Sequence, residues 1–343
     1  MTPSRLLPGL EIPDTMRSWR VWLGFAISFV FLYIAFREQD FAEIWESLRA
    51  AEYRWLIPAM GAYFLGVSVR AVRWHLLLRT VQDVSARRLF PIVVIGYMAN
   101  NILPLRAGEL VRSYALSARF QVRKSASLAT IAIERIFDGL TMLGFLLVAS
   151  LTIALTTNLR NVALAATALF VALSVVLFGF VLIPAMRHRS IDLALRLLPV
   201  RIGERVEQMA HSFFEGLGIL RRKQDLLNVL LTSILAWLCE ATMYLLIAHG
   251  FSLGISPAAI LLVTAVANLA TIIPSSPGYV GPFEAAVVSV LAGTLGLSRE
   301  LALSYAVVVH AALYVPVTLL GVLFWWRESF SWRDVRRAEE LAS

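Results

Sequence analysis

The sequence NNILPLRAGELVR, from Asn100 to Arg112, sets a proline, a glycine and three charged residues inside one of the most apolar regions of the chain. A second polar interruption, TIIPSSPGYVGPFEA from Thr271 to Ala285, divides another apolar region. An Ala-Asn pair precedes the proline in both places, at 99–100 and 267–268, and a glycine and then a glutamate follow it. We therefore expect two related turns, with the rest of the fold organised around them.

The composition is that of an integral membrane protein. The 343 residues are 59% hydrophobic and 16% charged, whereas soluble domains carry about 25% charged residues. A bilayer core of about 30 Å is crossed by about 20 residues of apolar helix, and several segments reach that length. The strict alternation of a membrane β-barrel is absent from these segments, so we expect the spans to be helices.

The net charge of +8 resides largely in arginines between the apolar segments, where basic residues orient a membrane protein toward the cytoplasm. We therefore expect no nucleic-acid partner. The single cysteine, Cys239, cannot form an intramolecular disulfide. Bulky and charged residues follow the first apolar run, so we expect this run to remain as a span and not to be cleaved as a signal peptide.

Six apolar segments are predicted to cross the plasma membrane in one domain over residues 19–326. Because the basic loops alternate with these spans, we expect both termini to be cytoplasmic, with tails over 1–18 and 327–343. The segment 186–224 is predicted to be a cytoplasmic amphipathic connector, and the acidic segment 37–54 an amphipathic helix on the outer surface. The predicted spans are 19–36, 55–78, 125–155, 162–183, 226–248 and 301–326.

The apolar limbs beside the two polar turns are short for a full crossing. Residues 89–103 would extend only about 22 Å as a helix. We predict a re-entrant hairpin over 89–119 that enters from the cytoplasm, and a second over 257–297 that enters from outside, with two full crossings as its alternative. Such turns need shielding by protein or a wet cavity. The units 55–155 and 226–326 would then form an inverted repeat in an all-α membrane protein, as in secondary transporters.

Ionisable residues inside apolar segments are the first candidates for function, because such a charge costs at least about 2.5–3.5 kcal/mol in a bilayer. Helical spacing places the two acids of the span 125–155 on one face, with an arginine beside them. These groups could bind a lipid headgroup, with arginine on a phosphate and carboxylates on an amine. Alternatively, they only neutralise one another and pin the first hairpin to the next span. The candidates are Asn100, Asn101, Pro104, Arg106, Glu109, Arg112, Glu134, Arg135 and Asp138.

The second turn and the last span supply the remaining candidates. Proline lacks an N–H group and glycine tolerates positive φ, so the turn could present free N–H groups at a helix start and bind an anion there. Alternatively, it is a tight turn packed against its counterpart. Histidine on the last span could instead be structural. Arg70 and Arg73 are expected to snorkel to the headgroups, with a contact to a substrate as the alternative. The candidates here are Pro274, Ser275, Pro277, Gly278, Gly281, Glu284, His310 and Tyr314.

Signatures of enzymes are missing from the sequence. It contains no HExxH, GxSxG or Walker motif, and its five histidines are scattered. We therefore expect no enzyme activity, no cofactor, no metal site and no ATP-driven motor in this chain.

Four stretches resemble the lysylphosphatidylglycerol synthase transmembrane-region family, also called the UPF0104 membrane proteins, over about residues 20–326. They are NNILPLRAGELVRSYAL, SASLATIAIERIFDGLTML, IPSSPGYVGPFEAAVVSVLAGTLGL and ALSYAVVVHAALYVPVTLLG. The family includes the flippase portion of the multiple peptide resistance factor, so the resemblance implies lipid translocation. The residues that match its signatures are Pro104, Arg106, Gly108, Glu109, Arg112, Glu134, Arg135, Asp138, Pro274, Pro277, Gly278, Gly281 and Glu284.

Two departures from the family pattern qualify this expectation. The family commonly has an arginine near the position of His310, so a weaker cation stands there in this chain. Synthase members carry a soluble aminoacyl-transferase domain after the membrane region, whereas this sequence ends at Ser343. We therefore expect this chain not to synthesise the lipid itself.

These observations lead to two functional hypotheses of different classes. The first is a lipid translocase that moves a phospholipid, an aminoacylated lipid or a lipid-linked headgroup between leaflets, with membrane lipids as its ligands. The alternative is a non-transporting scaffold or accessory subunit, whose partner would be a lipid or glycolipid synthase. The sequence leaves open whether the chain forms a homo-oligomer.

Overall fold

Twelve α-helices make up most of the computed structural model, which describes residues 19–36, 39–103, 107–183, 185–186, 189–190, 200–273 and 275–327. Within those ranges there is no β-strand, so the predicted all-α fold is confirmed there. The helices are α1 (Trp19–Phe36), α2 (Phe41–Ala50), α3 (Leu56–Leu78), α4 (Ala86–Ile102), α5 (Gly108–Phe120), α6 (Lys124–Ser150), α7 (Thr157–Leu182), α8 (Val200–Gly216), α9 (Lys223–Gly250), α10 (Pro257–Ala270), α11 (Pro282–Leu291) and α12 (Arg299–Arg327).

Several predicted features lie outside the described residues. Among them are the N-terminal tail over 1–18, all of the C-terminal tail after Arg327, and residues 191–199 of the connector. Three candidate site residues also lie outside: Pro104 and Arg106 of the first turn and Pro274 of the second.

Four helices are long and apolar enough to cross a membrane: α3 with the short turn before it, α7, α9 and α12. Of the two other predicted spans, α1 is an 18-residue helix that contains the apolar segment Phe25–Ile34. The 27 residues of α6 extend about 40 Å, but the helix contains the predicted charges Glu134, Arg135 and Asp138.

The outer surface of the helix assembly is strongly apolar. Along α7, large side chains such as Leu164, Leu173 and Val175 are exposed. A water-soluble protein rarely leaves so large an apolar face uncovered, whereas hydrocarbon tails of a bilayer solvate it well. This surface is that of a membrane protein.

The centre of the fold is an antiparallel pair, α3 and α9. At one end the N–H of Glu52 donates to the carbonyl of Gly250 at 2.8 Å, and at the other Arg73 donates to Ser233 at 2.9 Å. Between them, a β-carbon on Gly66 would lie 3.1 Å from the carbonyl oxygen of Ala236. The two backbones therefore approach closely at a small residue, as membrane helices commonly do.

The remaining helices pack around this pair in two matching sets. Helix α4 packs against α12, and α10 packs against α6. Helix α5 bridges α4 and α6, and α11 bridges α10 and α12 in the same manner. The two sets therefore correspond helix by helix: α3 matches α9, α4 matches α10, α5 matches α11 and α6 matches α12. Each packed pair has a counterpart when matching helices are exchanged.

Two further helices attach to the second set. Helix α1 packs on α11, and the N–H of Ser276 donates to the hydroxyl of Ser28 at 2.8 Å. Helix α2 packs on α12, where the hydroxyl of Ser304 donates to the carbonyl of Ile44. A carboxylate oxygen of Asp40 caps α2 by accepting the N–H of Ala42, so an amphipathic helix does form within 37–54, as predicted.

Candidate functional site

A polar cavity of about 130 Å³ lies where the facing ends of α4 and α10 meet α3, α6, α9 and α12. Charged residues of both signs, amides and aromatic rings share its wall. The lining residues are Tyr63, Arg70, Tyr97, Asn100, Asn101, Arg135, Asp138, Trp237, Glu240, Asn268, Thr271, Gly278, Tyr279, Phe283, His310, Leu313, Tyr314 and Val317.

On one wall, a buried ion pair joins the two central helices. The Nη2 of Arg70 lies 2.8 Å from Oε2 of Glu240, and each side chain is only 6% exposed. The guanidinium also lies 4.4 Å from the ring centroid of Trp237. The other carboxylate oxygen of Glu240 accepts a hydrogen bond from Asn268 at 3.2 Å. Both charges are thus held by hydrogen bonds and an aromatic face, which compensates for their burial.

Asp138 on α6 is the most heavily contacted carboxylate of the site. Its Oδ1 accepts hydrogen bonds from Nη1 of Arg73 at 2.6 Å and from the indole N–H of Trp237 at 2.8 Å. Its Oδ2 lies 3.0 Å from Nη2 of Arg135, three residues earlier on the same helix. The predicted pairing of Arg135 with Asp138 is therefore confirmed.

A second group of charges lies behind the cavity wall and fastens α5 to α6. Arg112 donates to Oε2 of Glu134 at 2.8 Å, and its guanidinium lies 4.1 Å from the ring centroid of Trp74. The other oxygen of Glu134 is 3.8 Å from Nε of Arg73. These contacts match the alternative in which the charges neutralise one another and pin the first hairpin. Neither Arg112 nor Glu134 lines the cavity, and neither does Glu109.

The prediction that Arg70 and Arg73 snorkel to the membrane surface is wrong. The side chain of Arg73 is 1% exposed, and carboxylates inside the fold hold both guanidinium groups. Arg70 and Arg73 face inward because Glu240 and Asp138 neutralise their guanidinium groups inside the fold.

Two asparagines shape the first turn from the end of α4. The side-chain oxygen of Asn100 accepts the N–H of Gly108 at 2.8 Å and so caps the start of α5. A β-carbon on Gly108 would meet this same oxygen, so only glycine allows so close an approach. Asn101 donates to the hydroxyl of Thr318 at 2.8 Å, and Tyr314 donates to the carbonyl of Asn101 at 3.1 Å. The first turn is thereby anchored to α12.

The second turn is closed by its own glutamate. One oxygen of Glu284 accepts the N–H of Gly281 at 2.7 Å, so this N–H is not free to bind an anion. The interpretation as a tight packed turn is the one that the geometry supports. Gly278 has φ +76° and lies against the ring of Tyr314, a conformation that disfavours any residue with a β-carbon.

His310 on α12 joins this turn to the last helix. Its Nδ1 lies 2.5 Å from Oε1 of Glu284, and its Nε2 lies 2.7 Å from the carbonyl oxygen of Gly278. His310, Gly278 and Tyr314 line the cavity, whereas Gly281 and Glu284 lie behind it. Pro277 lines a separate apolar groove against α1, and neither it nor Ser275 lines the cavity.

Sequence reasoning named seven of the 18 residues of the cavity wall as candidates and missed 11, most importantly Glu240, Trp237 and Asn268. Glu240 is an acid in the middle of the apolar run 226–248, so the rule that intramembrane charges are functional candidates would have identified it. Asn268 could have been identified from the Ala-Asn pair that it shares with the candidate Asn100, whereas the aromatic residues carry no comparable signal in a sequence. Among the described residues, no group of three or more His, Cys, Asp or Glu side chains is placed to hold a metal ion.

Fold and site together define an all-helical, multi-pass membrane protein with a charged cavity between two matching sets of helices. The chain belongs to the family of the lysylphosphatidylglycerol synthase TM region, which residues 21–321 match. The sequence resemblance is thus confirmed over most of the chain.

Individual relatives agree with this assignment. A UPF0104 membrane protein of Methanothermobacter thermautotrophicus is 28% identical over 298 residues, covering 82% of this chain and 87% of the relative. A second one from the same organism is 26% identical over 79% of this chain and 83% of its own length. Glycosyltransferase AglD of Haloferax volcanii is 27% identical over 86% of this chain, but the match spans only 51% of that protein. No solved structure matches the chain.

Proposed function

We propose that the chain is a lipid translocase of the plasma membrane. It moves a phospholipid, an aminoacylated lipid or a lipid-linked headgroup between leaflets, and it carries out no enzymatic reaction. The observation that carries this proposal is the polar cavity, which lies inside a helix assembly with an apolar exterior. The headgroup enters this cavity while the hydrocarbon tails stay in the bilayer.

The charges of the cavity fit a zwitterionic or anionic headgroup. The guanidinium groups of Arg70 and Arg135 can hold a phosphate, since arginine binds phosphate oxygens with paired N–H groups. The carboxylates of Glu240 and Asp138, together with the ring of Trp237, can hold an amine. A zwitterionic headgroup forms ion pairs with the arginines and carboxylates that replace the ion pairs within the protein. The free-energy cost of separating the internal pairs is therefore low.

The proposed topology has six spans and two oppositely oriented re-entrant hairpins, α4–α5 and α10–α11, in an inverted repeat. Two observations support it. The packing of α3–α6 matches that of α9–α12 under exchange, and the exchanged partners α3 and α9 run antiparallel. In this arrangement the hairpin tips meet at the cavity, where transporters of this kind place their substrate. Both termini are then cytoplasmic.

A scaffold or accessory subunit of a lipid or glycolipid synthase is the second candidate. Two observations favour it: one relative bears the name of a glycosyltransferase, and the charges of the cavity already pair with one another or with Arg73. A scaffold needs no headgroup in the cavity, so a direct measurement of lipid movement separates the two candidates.

The experiment measures exchange of fluorescent lipids between leaflets of vesicles that contain the purified protein. We expect exchange of a zwitterionic or anionic lipid above that of protein-free vesicles. Arg135→Gln should slow it about tenfold, because a charge-assisted hydrogen bond contributes about 1.5–3 kcal/mol. The matched control is Arg123→Gln, whose side chain is 69% exposed and does not line the cavity.

Exchange no faster than in empty vesicles for zwitterionic, anionic and aminoacylated lipids would refute translocation and favour the scaffold. Exchange that Arg135→Gln and Arg123→Gln leave equally fast would place the lipid path elsewhere than in the cavity.

A further inference from the structure

The contact between α12 and the second turn requires a hydrogen atom on each side of the His310 ring. His310 presents both ring nitrogens to groups that accept hydrogen bonds: a carboxylate oxygen of Glu284 and the carbonyl oxygen of Gly278. The side chains of His310 and Glu284 are 12% and 6% exposed, so most of their surface faces protein. Each contact therefore needs its own hydrogen atom.

Counting hydrogens fixes the charge of this group. A carbonyl oxygen only accepts, so Nε2 of His310 carries a hydrogen toward Gly278. The contact with Glu284 needs a second hydrogen, on Nδ1 or on the carboxyl group. In either case the pair holds one proton more than a neutral histidine beside a carboxylate.

Loss of that proton must break one of the two contacts. If the remaining hydrogen stays on Nε2, the lone pair of Nδ1 faces the carboxylate of Glu284. If it moves to Nδ1, the lone pair of Nε2 faces the carbonyl of Gly278. Both arrangements are repulsive, and each leaves a buried polar group without a partner.

The second turn is poised to respond to such a loss. Gly278, Tyr279 and Gly281 all have positive φ, at 76°, 61° and 100°. Positive φ is costly for a residue with a β-carbon, so surrounding contacts must hold Tyr279 in place. Gly278 and Tyr279 also line the cavity. A change at His310 therefore changes the shape of the cavity wall.

Other ionisable groups approach His310 from several packed elements. Tyr314 is on the same helix, Tyr279 is in the second turn, and the hydroxyl of Tyr63 on α3 donates to the carbonyl of Leu313 on α12 at 3.2 Å. The other ionisable residues of the cavity wall, from α4, α3, α9 and α6, are Tyr97, Arg70, Glu240, Arg135 and Asp138. On α2, Glu43, Glu46 and Arg49 belong to a helix that meets α12 near Ser304, almost two turns away. The two carboxylates and two arginines of the cavity already pair with one another or with Arg73. Glu284 is thus the acid that directly contacts His310.

We propose that Glu284 and His310 form a binding site for one exchangeable proton, and that this proton holds the second turn closed against α12. Release of the proton through the cavity frees the turn, and rebinding closes it again. A cavity ligand that favours one form of the turn must shift proton affinity by the same factor. This coupling to a lipid rests on the proposed function, whereas the proton site itself does not.

Hydrogen exchange of the backbone amides over residues 275–285 tests the proton site without any lipid movement. The wild-type protein in lipid nanodiscs is compared from about pH 5 to about pH 9, after correction for intrinsic exchange rates. This range covers the pH at which histidine ordinarily changes charge and the higher pH to which contacts that favour the protonated form extend that change. We expect protection of this segment to fall about tenfold to a hundredfold as pH rises, the equivalent of one charge-assisted hydrogen bond.

Glu284→Gln provides the decisive variant. The amide oxygen of glutamine can accept the N–H of Gly281, and its NH₂ group can donate to Nδ1 of a neutral His310. All the contacts are then satisfied without the extra proton, so protection should stay high at every pH. His310→Ala should be unprotected at every pH, and the control His249→Gln, on an exposed histidine, should behave as wild type.

Protection of 275–285 that does not vary with pH in the wild type would overturn the proposal, as would a Glu284→Gln variant that keeps the wild-type pH dependence. At high pH the Glu284→Gln variant is expected to be more protected than the wild type, and misfolding cannot produce such a gain. The test therefore holds even if His310→Ala fails to fold. Lipid exchange measured over the same pH range is a separate arm: if it is absent while the amide result stands, translocation falls and the proton site remains.

Discussion

Replacing Glu240 by alanine is expected to destabilise the protein by about 3–5 kcal/mol, the usual cost of leaving one member of a buried ion pair alone. Arg70 would lose its carboxylate partner at 2.8 Å while remaining 6% exposed. Asn268 would lose its hydrogen bond to the same carboxylate. An arginine cannot discharge itself by losing its proton, so the guanidinium stays charged without its carboxylate.

The double variant Arg70→Met with Glu240→Leu should be far more stable than Glu240→Ala. Both side chains are then apolar and of similar bulk, and replacing a buried pair by such residues is often neutral. We expect it to lie within about 1.5 kcal/mol of wild type, which is the cost of a tolerated hydrophobic exchange. Unfolding of the purified proteins in mixed detergent micelles, followed by tryptophan fluorescence, measures both differences.

Equal destabilisation of the single and double variants would refute this reasoning, because it would show that lost packing dominates the energetics of the pair. A loss of less than about 1 kcal/mol in Glu240→Ala would refute it too, since surface ion pairs contribute no more than that. The same double variant also separates the two roles of these charges. A stable protein that no longer exchanges lipid indicates a role in binding the headgroup, whereas full exchange would limit Arg70 and Glu240 to holding the fold.

Two further predictions concern Arg112 on α5 and Gly278 of the second turn. Arg112→Ala should cost about 3 kcal/mol in the same unfolding measurement, because Glu134 stays buried without its partner at 2.8 Å, and Arg112→Lys should recover part of that loss. Gly278→Ala should cost more than Gly254→Ala, by about 1–3 kcal/mol: both glycines have positive φ, but only at Gly278 would a β-carbon overlap Tyr314. If the two substitutions lowered the free energy of unfolding equally, the loss would come from backbone strain alone and not from overlap with Tyr314.

The positions of the long helices could be predicted because each span needs a continuous apolar run of defined length. The run 226–248 became α9 (Lys223–Gly250), and the run 301–326 became α12 (Arg299–Arg327). The predicted start of the fourth span at 162 was late by five residues, since Thr156 caps α7 by accepting the N–H of Leu159. What hydropathy does not encode is which helices pack together, and so the antiparallel contact of α3 with α9 could not be foreseen.

Within the site, short-range contacts were predictable and long-range ones were not. Helical spacing places Arg135 beside Asp138 whatever the rest of the fold does. The partner of Arg70 is 170 residues away in the sequence, so its identity depends on tertiary packing. Reading Arg70 by itself favoured the membrane surface, because a lone arginine near a helix end is most stable there.

The two turns are fastened to their neighbouring helices by contacts of different chemistry. In the first set, α5 supplies Arg112 and α6 supplies Glu134; in the second, α11 supplies Glu284 and α12 supplies His310. Arginine keeps its proton at every pH that a protein meets, whereas a histidine paired with a carboxylate can release one. Release of a proton can therefore loosen the second contact but not the first. Under the proposed mechanism, this difference makes the second turn the part that moves and the first turn the fixed wall against which it closes.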